Sequence, residues 1–165
     1  MMQTESFFTF RTIKWEDGEV VTIDQRALPH EFKLLRIRTV EEMADAIKNM
    51  AIRGAPAIGS AAAFGLALAA YRSEKTSLKD LMDDLTRAYR VLASTRPTAV
   101  NLFWALDRVL SKAREAETVE EAKELILEEA LAIWKEDYEV NRRIGDYGAD
   151  LLEDGDRVLT HCKWL

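Results

Sequence analysis

The sequence predicts an α+β fold: a small N-terminal antiparallel sheet, then a helical bundle, then a short strand of the kind that opens an α/β unit. Three observations predict it. Asp17-Gly18, a strong hairpin signal, sits between two strand-like runs. From residue 39 onward, hydroxyl and carboxylate residues at capping-box spacing precede long stretches of helical periodicity. After the last of these, Asp154-Gly155-Asp156 turns the chain into Arg157-Val158-Leu159-Thr160-His161-Cys162, a run that reads as a short buried strand.

The sheet comes first. Phe7 to Trp15 and Glu19 to Ile23 form the hairpin arms, and Glu31 to Ile37 supplies a third strand after the break at Leu28-Pro29. Thr39-Val40-Glu41-Glu42 starts a helix running to about Met50, because the threonine hydroxyl and the second glutamate satisfy orphan backbone donors reciprocally. A second helix spans about Ala55 to Arg72. Ser77-Leu78-Lys79-Asp80 opens a third, closed by Arg96-Pro97. Thr98 caps a fourth, whose wide apolar face is Val100, Phe103, Trp104, Leu106, Val109 and Leu110. The last begins at the second capping box, Thr118-Val119-Glu120-Glu121, bends near Gly145 and Gly148 and ends around Glu153. Its acidic run, Glu120, Glu121, Glu124, Glu128 and Glu129 with Lys123 interleaved, reads as a solvated face.

Composition excludes several function classes. A formal charge of -6 argues against non-specific nucleic-acid binding, which depends on Lys and Arg neutralising phosphates. The uncharged stretch from Ala55 to Tyr71 is mostly Ala and Gly, too short and too weakly apolar for a membrane span, so it reads as a helix buried in protein. One cysteine precludes an internal disulfide and suits a reducing cytoplasm. No metal site is expected, since His30 and His161 are the only histidines and no spaced Cys/His set exists. No glycine loop of the nucleotide-binding types is present, and no cofactor is expected.

The run from Met50 to Phe64 is the most informative about function. It sets Arg53 beside Gly54 and Ala55 where a loop turns into a helix, with Pro56 favoured at the first helical position. Free backbone N–H groups at a helix start, with the dipole behind them, bind anions. Arg53 adds a planar fork suited to phosphate oxygens. The bland alternative is a Gly/Ala-rich helix packed tightly against a neighbour. Arg96-Pro97-Thr98-Ala99-Val100-Asn101 repeats the arrangement, an arginine just ahead of a helix start. Two such sites in one small domain can grip one phosphorylated ligand between them. His161 and Cys162, adjacent in a strand, point to opposite faces and are poorly placed to share an ion.

These segments carry a resemblance. Arg53 to Gly59, Arg96 to Arg108 and Gly155 to Cys162 resemble, in order and spacing, the hallmarks of the methylthioribose-1-phosphate isomerases of methionine salvage, over residues 5 to 162. The resemblance implies an aldose–ketose isomerase converting 5-methylthioribose 1-phosphate to the ribulose phosphate, with that sugar phosphate as its small-molecule partner. It implies substrate binding by Arg53, Gly54, Ala55 and Arg96, and an active-site role for Cys162. Family members continue past that cysteine into a Rossmann-like domain that holds their proton-donor aspartate. Here Lys163-Trp164-Leu165 follows instead, and no aspartate of this chain matches that donor. The expectation is therefore a truncated enzyme, inactive alone. Its N-terminal domain occupies 1-153 (β-rich 1-38, helical 39-153), and 154-165 is the turn and first strand of the missing Rossmann-like domain. An exposed former domain interface predicts a homodimer or larger self-association in the cytoplasm. Ribose-1,5-bisphosphate isomerases share the Arg-Gly-Ala theme and stay as an alternative. So does a non-catalytic assembly module, since regulatory subunits of the initiation-factor exchange complex resemble the same fold.

Overall fold

In the computed structural model, residues 11–159 are described. Three strands form a meander in the order β1-β2-β3: β1 (Ile13–Glu16), β2 (Glu19–Ile23) and β3 (Leu34–Ile37). Five helices follow: α1 (Val40–Lys48), α2 (Ala55–Arg72), α3 (Leu78–Ala93), α4 (Val100–Ala113) and α5 (Val119–Ala149). The expected sheet-then-bundle architecture is the one observed.

The hairpin turns as Asp17-Gly18 requires. Both residues have positive φ, 49° and 83°, which matches the twist of the flanking strands and places Glu16 opposite Glu19. Tyr71 of α2 lies against this turn: a Cβ on Gly18 would come within 2.4 Å of its ring. The Trp15 ring meets the Tyr71 ring edge-on at 5.8 Å. β1 begins at Ile13, and the expected stretch from Phe7 to Phe10 lies outside the described residues. β3 starts at Leu34 rather than Glu31, since the chain from Asp24 is turned back on itself by bonds from Ala27 N–H to the Asp24 carbonyl and from Glu31 N–H to the Ala27 carbonyl.

The bundle is organised around α2. Twelve of its residues are buried, on every face, and it packs against α1, α3, α4, α5 and β1. A helix apolar all round has no wet side, so it becomes the axis that amphipathic helices surround. Its Ala and Gly side chains let those neighbours come close. At the base, Trp134 of α5 donates its indole N–H to the Ile13 carbonyl at 2.5 Å, clipping the free edge of the sheet to the last helix.

Local signals for helix starts are obeyed with one exception. Thr39 forms a complete capping box with Glu42. The Thr118 hydroxyl accepts from Glu121 N–H, but the Glu121 carboxylate reaches one residue further back, to Glu117 N–H at 2.7 Å. The exception is Thr98, which does not cap α4. The turn closed by Ala99 N–H and the Arg96 carbonyl puts Ala99 at the cap position, with Thr98 exposed one residue early. α5 is α-helical through Gly145 and Gly148 and ends at Ala149, a few residues before the expected Glu153. A helix glycine costs about 1 kcal/mol but removes no hydrogen bond, so two need not break a long helix. Of the acidic run, Glu129 is not a solvated residue: it pairs with Arg108 of α4.

The expected terminal strand is not formed over Arg157–Leu159, which are irregular, with Val158 and Leu159 exposed. Among the described residues no strand lies alongside to pair with them, and unpaired strand backbone is better satisfied by water. His161 and Cys162 lie outside the described residues.

One group in the bundle works against stability. Asp137 is half-buried on α5, and burial pushes its carboxyl above the usual carboxylate range despite the Asn141 amide at 3.1 Å. A carboxyl whose pKa is raised by folding adds stability below its unfolded pKa and loses it as pH climbs through the folded value. Asp137→Asn is thus expected to raise Tm at pH 7 by roughly 2 °C, an advantage that vanishes near pH 3. Thermal unfolding at both pH values tests this, and equal midpoints at pH 7 would contradict it.

Candidate anion site at two helix starts

The loop from Asn49 to Gly54 is held from three sides. The Asn49 side-chain oxygen accepts from Ala51 N–H at 3.0 Å, and Ile52 N–H reaches the Ala46 carbonyl at 3.0 Å. Gln25, just past β2, binds twice: its backbone N–H donates to the Ala51 carbonyl at 3.0 Å and its side-chain amide to the Arg53 carbonyl at 2.9 Å. Ala51 and Ile52 are fully buried, which anchors the loop, while Arg53, Gly54 and Ala55 emerge exposed.

Gly54 is the N-cap of α2, with φ 97° and ψ 132°. That backbone conformation is one only glycine adopts without strain. A Cβ there would meet nothing within 4 Å, so the space over the helix start is open. Ala55 is the first helical residue and Pro56 the second, one place later than expected from sequence. Proline has no N–H, and the Ile58 N–H is spent on the Gly54 carbonyl at 2.9 Å. By helix geometry the donors left facing outward are those of Gly54, Ala55 and Ala57.

Arg96 sits half-buried in the turn before α4. α2 packs against α4 at Gly59, the fifth residue of α2: a Cβ there would lie 3.4 Å from the Asn101 carbonyl and 3.6 Å from the Asn101 Cβ, ordinary packing distances beside the first turn of α4. Among the described residues neither Arg53 nor Arg96 has a carboxylate within ion-pair distance, unlike Arg26, Arg36, Arg38 and Arg108. Both positive charges are left unneutralised beside two positive helix-dipole ends.

The remaining polar residues of the 96–108 segment do structural work. Arg108 forks onto Glu136 at 2.5 and 2.8 Å, also pairs with Glu129, and lies 5.4 Å from the Trp104 ring centroid. Its guanidinium is held more firmly protonated by those carboxylates, and Glu136 is in turn held below the usual carboxylate range. Asp107 accepts from the Tyr89 hydroxyl at 2.8 Å, joining α4 to α3. Sequence inspection missed Gln25, a lone glutamine in a turn, whose 8 % exposure and tether to Arg53 exist only in three dimensions. The described residues contain no cluster of three or more His, Cys, Asp or Glu able to hold a metal, and no helix long and apolar enough to cross a membrane.

A sheet-clipped bundle around a buried alanine-rich helix, with an arginine ahead of each of two packed helices, defines the class of domain. Residues 51–164 match the profile of the initiation factor 2 subunit family, and the chain belongs to that family. The 5-deoxyribose 1-phosphate isomerase of Moorella thermoacetica is 54% identical over 153 residues, spanning 92% of this chain and 44% of that protein. Among solved structures, 5-methylthioribose 1-phosphate isomerase from Pyrococcus horikoshii OT3 superimposes with a TM-score of 0.85 at 49% identity, covering 88% of this chain and 41% of that one. Translation initiation factor eIF-2B, subunit delta, from A. fulgidus gives a TM-score of 0.84 at 51% identity, over 90% of this chain and 43% of that one. The chain thus spans less than half the length of these relatives.

Proposed function

We propose that this chain is the phosphate-gripping part of an aldose–ketose isomerase acting on 5-methylthioribose 1-phosphate in methionine salvage. The observation that supports the reading is the packing of α2 against α4 at Gly59 and Asn101, two helices each preceded by an arginine without an ion-pair partner among the described residues. The substrate's C1 oxygen is esterified, so its ring cannot open by losing a hydroxyl proton. An acid must protonate the ring oxygen as that C–O bond breaks, and hydrogen then passes from C2 to C1 while the C2 hydroxyl becomes a carbonyl. The phosphate stays on C1 throughout, whichever form the hydrogen takes. A rigid grip on that phosphate by Arg53, Arg96 and the N–H groups of Gly54 and Ala55 fixes the reacting carbons without taking part in the proton transfers. Cys162, by family resemblance, supports the transition state from a position outside the described residues.

Half of the relatives' length lies beyond the match, so turnover is assigned to the pair of halves and binding to this one. Calorimetry with 5-methylthioribose 1-phosphate is expected to show saturable binding to the 165-residue chain. An isomerase assay should then give turnover that is at least about a hundredfold greater when the downstream half of a relative is supplied. No binding, or full turnover by the chain alone, overturns this reading. The Moorella thermoacetica relative favours a second substrate within the same chemistry, 5-deoxyribose 1-phosphate. The likeness to translation initiation factor eIF-2B, subunit delta, from A. fulgidus favours a non-catalytic assembly module, which the same assay separates by an absence of turnover under every condition.

A further inference from the structure

The peptide group that joins the Arg53 carbonyl to the Gly54 N–H lies just outside α2. Within the helix, Ile58 N–H fixes the Gly54 carbonyl at 2.9 Å, but no bond of α2 fixes the peptide before it. At a glycine, φ values of either sign cost about the same, so that peptide plane can turn over by opposed rotations of the Arg53 ψ and the Gly54 φ. In a trans peptide the C=O and N–H point in opposite directions. Turning the plane over therefore replaces a donor at the mouth of the helix start by an acceptor. Beside a phosphate group, the donor attracts and the acceptor repels.

One side chain holds the plane. The buried Gln25 amide donates to the Arg53 carbonyl at 2.9 Å, and a carbonyl can only accept, so a turned plane would lose this bond. The platform under Gln25 is stiff. Its own N–H donates to the Ala51 carbonyl at 3.0 Å, and Asp24 N–H donates to the Lys33 carbonyl at 2.8 Å. The buried Asp24 carboxylate accepts from Arg26 N–H at 3.1 Å and from the Arg26 guanidinium at 2.7 and 2.8 Å. We propose that Gln25 is a positioning residue of the phosphate site, whose amide pins the Arg53–Gly54 peptide so that the Gly54 N–H faces the ligand. The inference rests on the sugar-phosphate reading given above. Gln25 acts from 28 residues away in the chain, through one bond and without touching the ligand. That bond also polarises the peptide, which makes its N–H a stronger donor.

Arg53-Gly54 is the only Arg–Gly step in the sequence. Labelling with ¹³C-carbonyl arginine and ¹⁵N glycine therefore gives a single carbonyl–amide resonance, which reports both ends of this peptide. In the wild type, inorganic phosphate added to saturation is expected to move the Gly54 amide proton downfield. Gln25→Met keeps the length of the side chain and removes the donor. In that variant the Arg53 carbonyl signal should move upfield, and the Gly54 response to phosphate should fall by half or more. A bond that merely held the fold together would leave that response intact. By calorimetry, Gln25→Met should bind 5-methylthioribose 1-phosphate about 3- to 10-fold more weakly. Gln25→Glu, whose carboxylate repels the Arg53 carbonyl, should bind more weakly still. Arg53→Ala separates this inference from the reading beneath it. Weaker binding by Arg53→Ala, with Gln25→Met unchanged in affinity and in the Gly54 response, overturns the role of Gln25 and leaves the phosphate site standing. A wild-type Gly54 resonance that phosphate does not move overturns the proposal whether or not either Gln25 variant folds. If Arg53→Ala also binds as the wild type does, the site reading falls with it.

Discussion

Replacing Phe64 by alanine is expected to lower the unfolding free energy by about 3–5 kcal/mol. Phe64 has no exposed surface and lies midway along α2, the helix that all other helices and the sheet surround. Its ring meets Trp15 of β1 at 6.0 Å, so it ties the bundle axis to the sheet. The cost falls at the high end of what burial predicts because the site cannot collapse. The residues one turn away on its own helix face are Ser60, Ala61, Ala67 and Leu68, three of them too short to move into the void. Urea unfolding monitored by circular dichroism would show the midpoint fall with an unchanged slope. A loss below about 1 kcal/mol would mean that α2 is not the axis of the fold.

The second large effect falls on ligand binding. Arg53→Ala and Arg96→Ala are each expected to weaken 5-methylthioribose 1-phosphate binding by about 10- to 100-fold, since a charge-assisted bond to phosphate is worth about 1.5–3 kcal/mol. The double variant should bind too weakly to measure by calorimetry. Arg53→Lys should fall between, because it keeps the charge but loses the two-pronged fork. Stability should hardly change in any of them. Arg53 is exposed, Arg96 is half-buried, and neither makes an ion pair with a described residue. Unaltered affinity in both single variants would remove the helix starts from the phosphate site and leave the family relationship standing without this geometry.

Much of this was legible in the residues. Asp17-Gly18 demanded a turn with two positive φ values, and Thr39 with Glu42 demanded a helix start, because each signal is a local bond or a local steric rule. The small-residue run packs as its bland reading expects over most of its length. From Gly59 to Ala70 it packs, and only its first residues, Arg53 to Ala55, face open space. Signals failed where a neighbour competed. Thr98 lost its cap position to a turn at Arg96, and Glu129 left the solvated face for Arg108.

By itself the sequence determined the order and type of the elements and the two arginine-led helix starts, since periodicity, caps and turns act over a few residues. Only the tertiary structure decided that α2 packs against α4 at Gly59 and Asn101, and that Gln25 ties down the loop carrying Arg53. Those contacts join residues far apart in the chain, and their energy is set by how helices pack rather than by any pattern a local stretch can display.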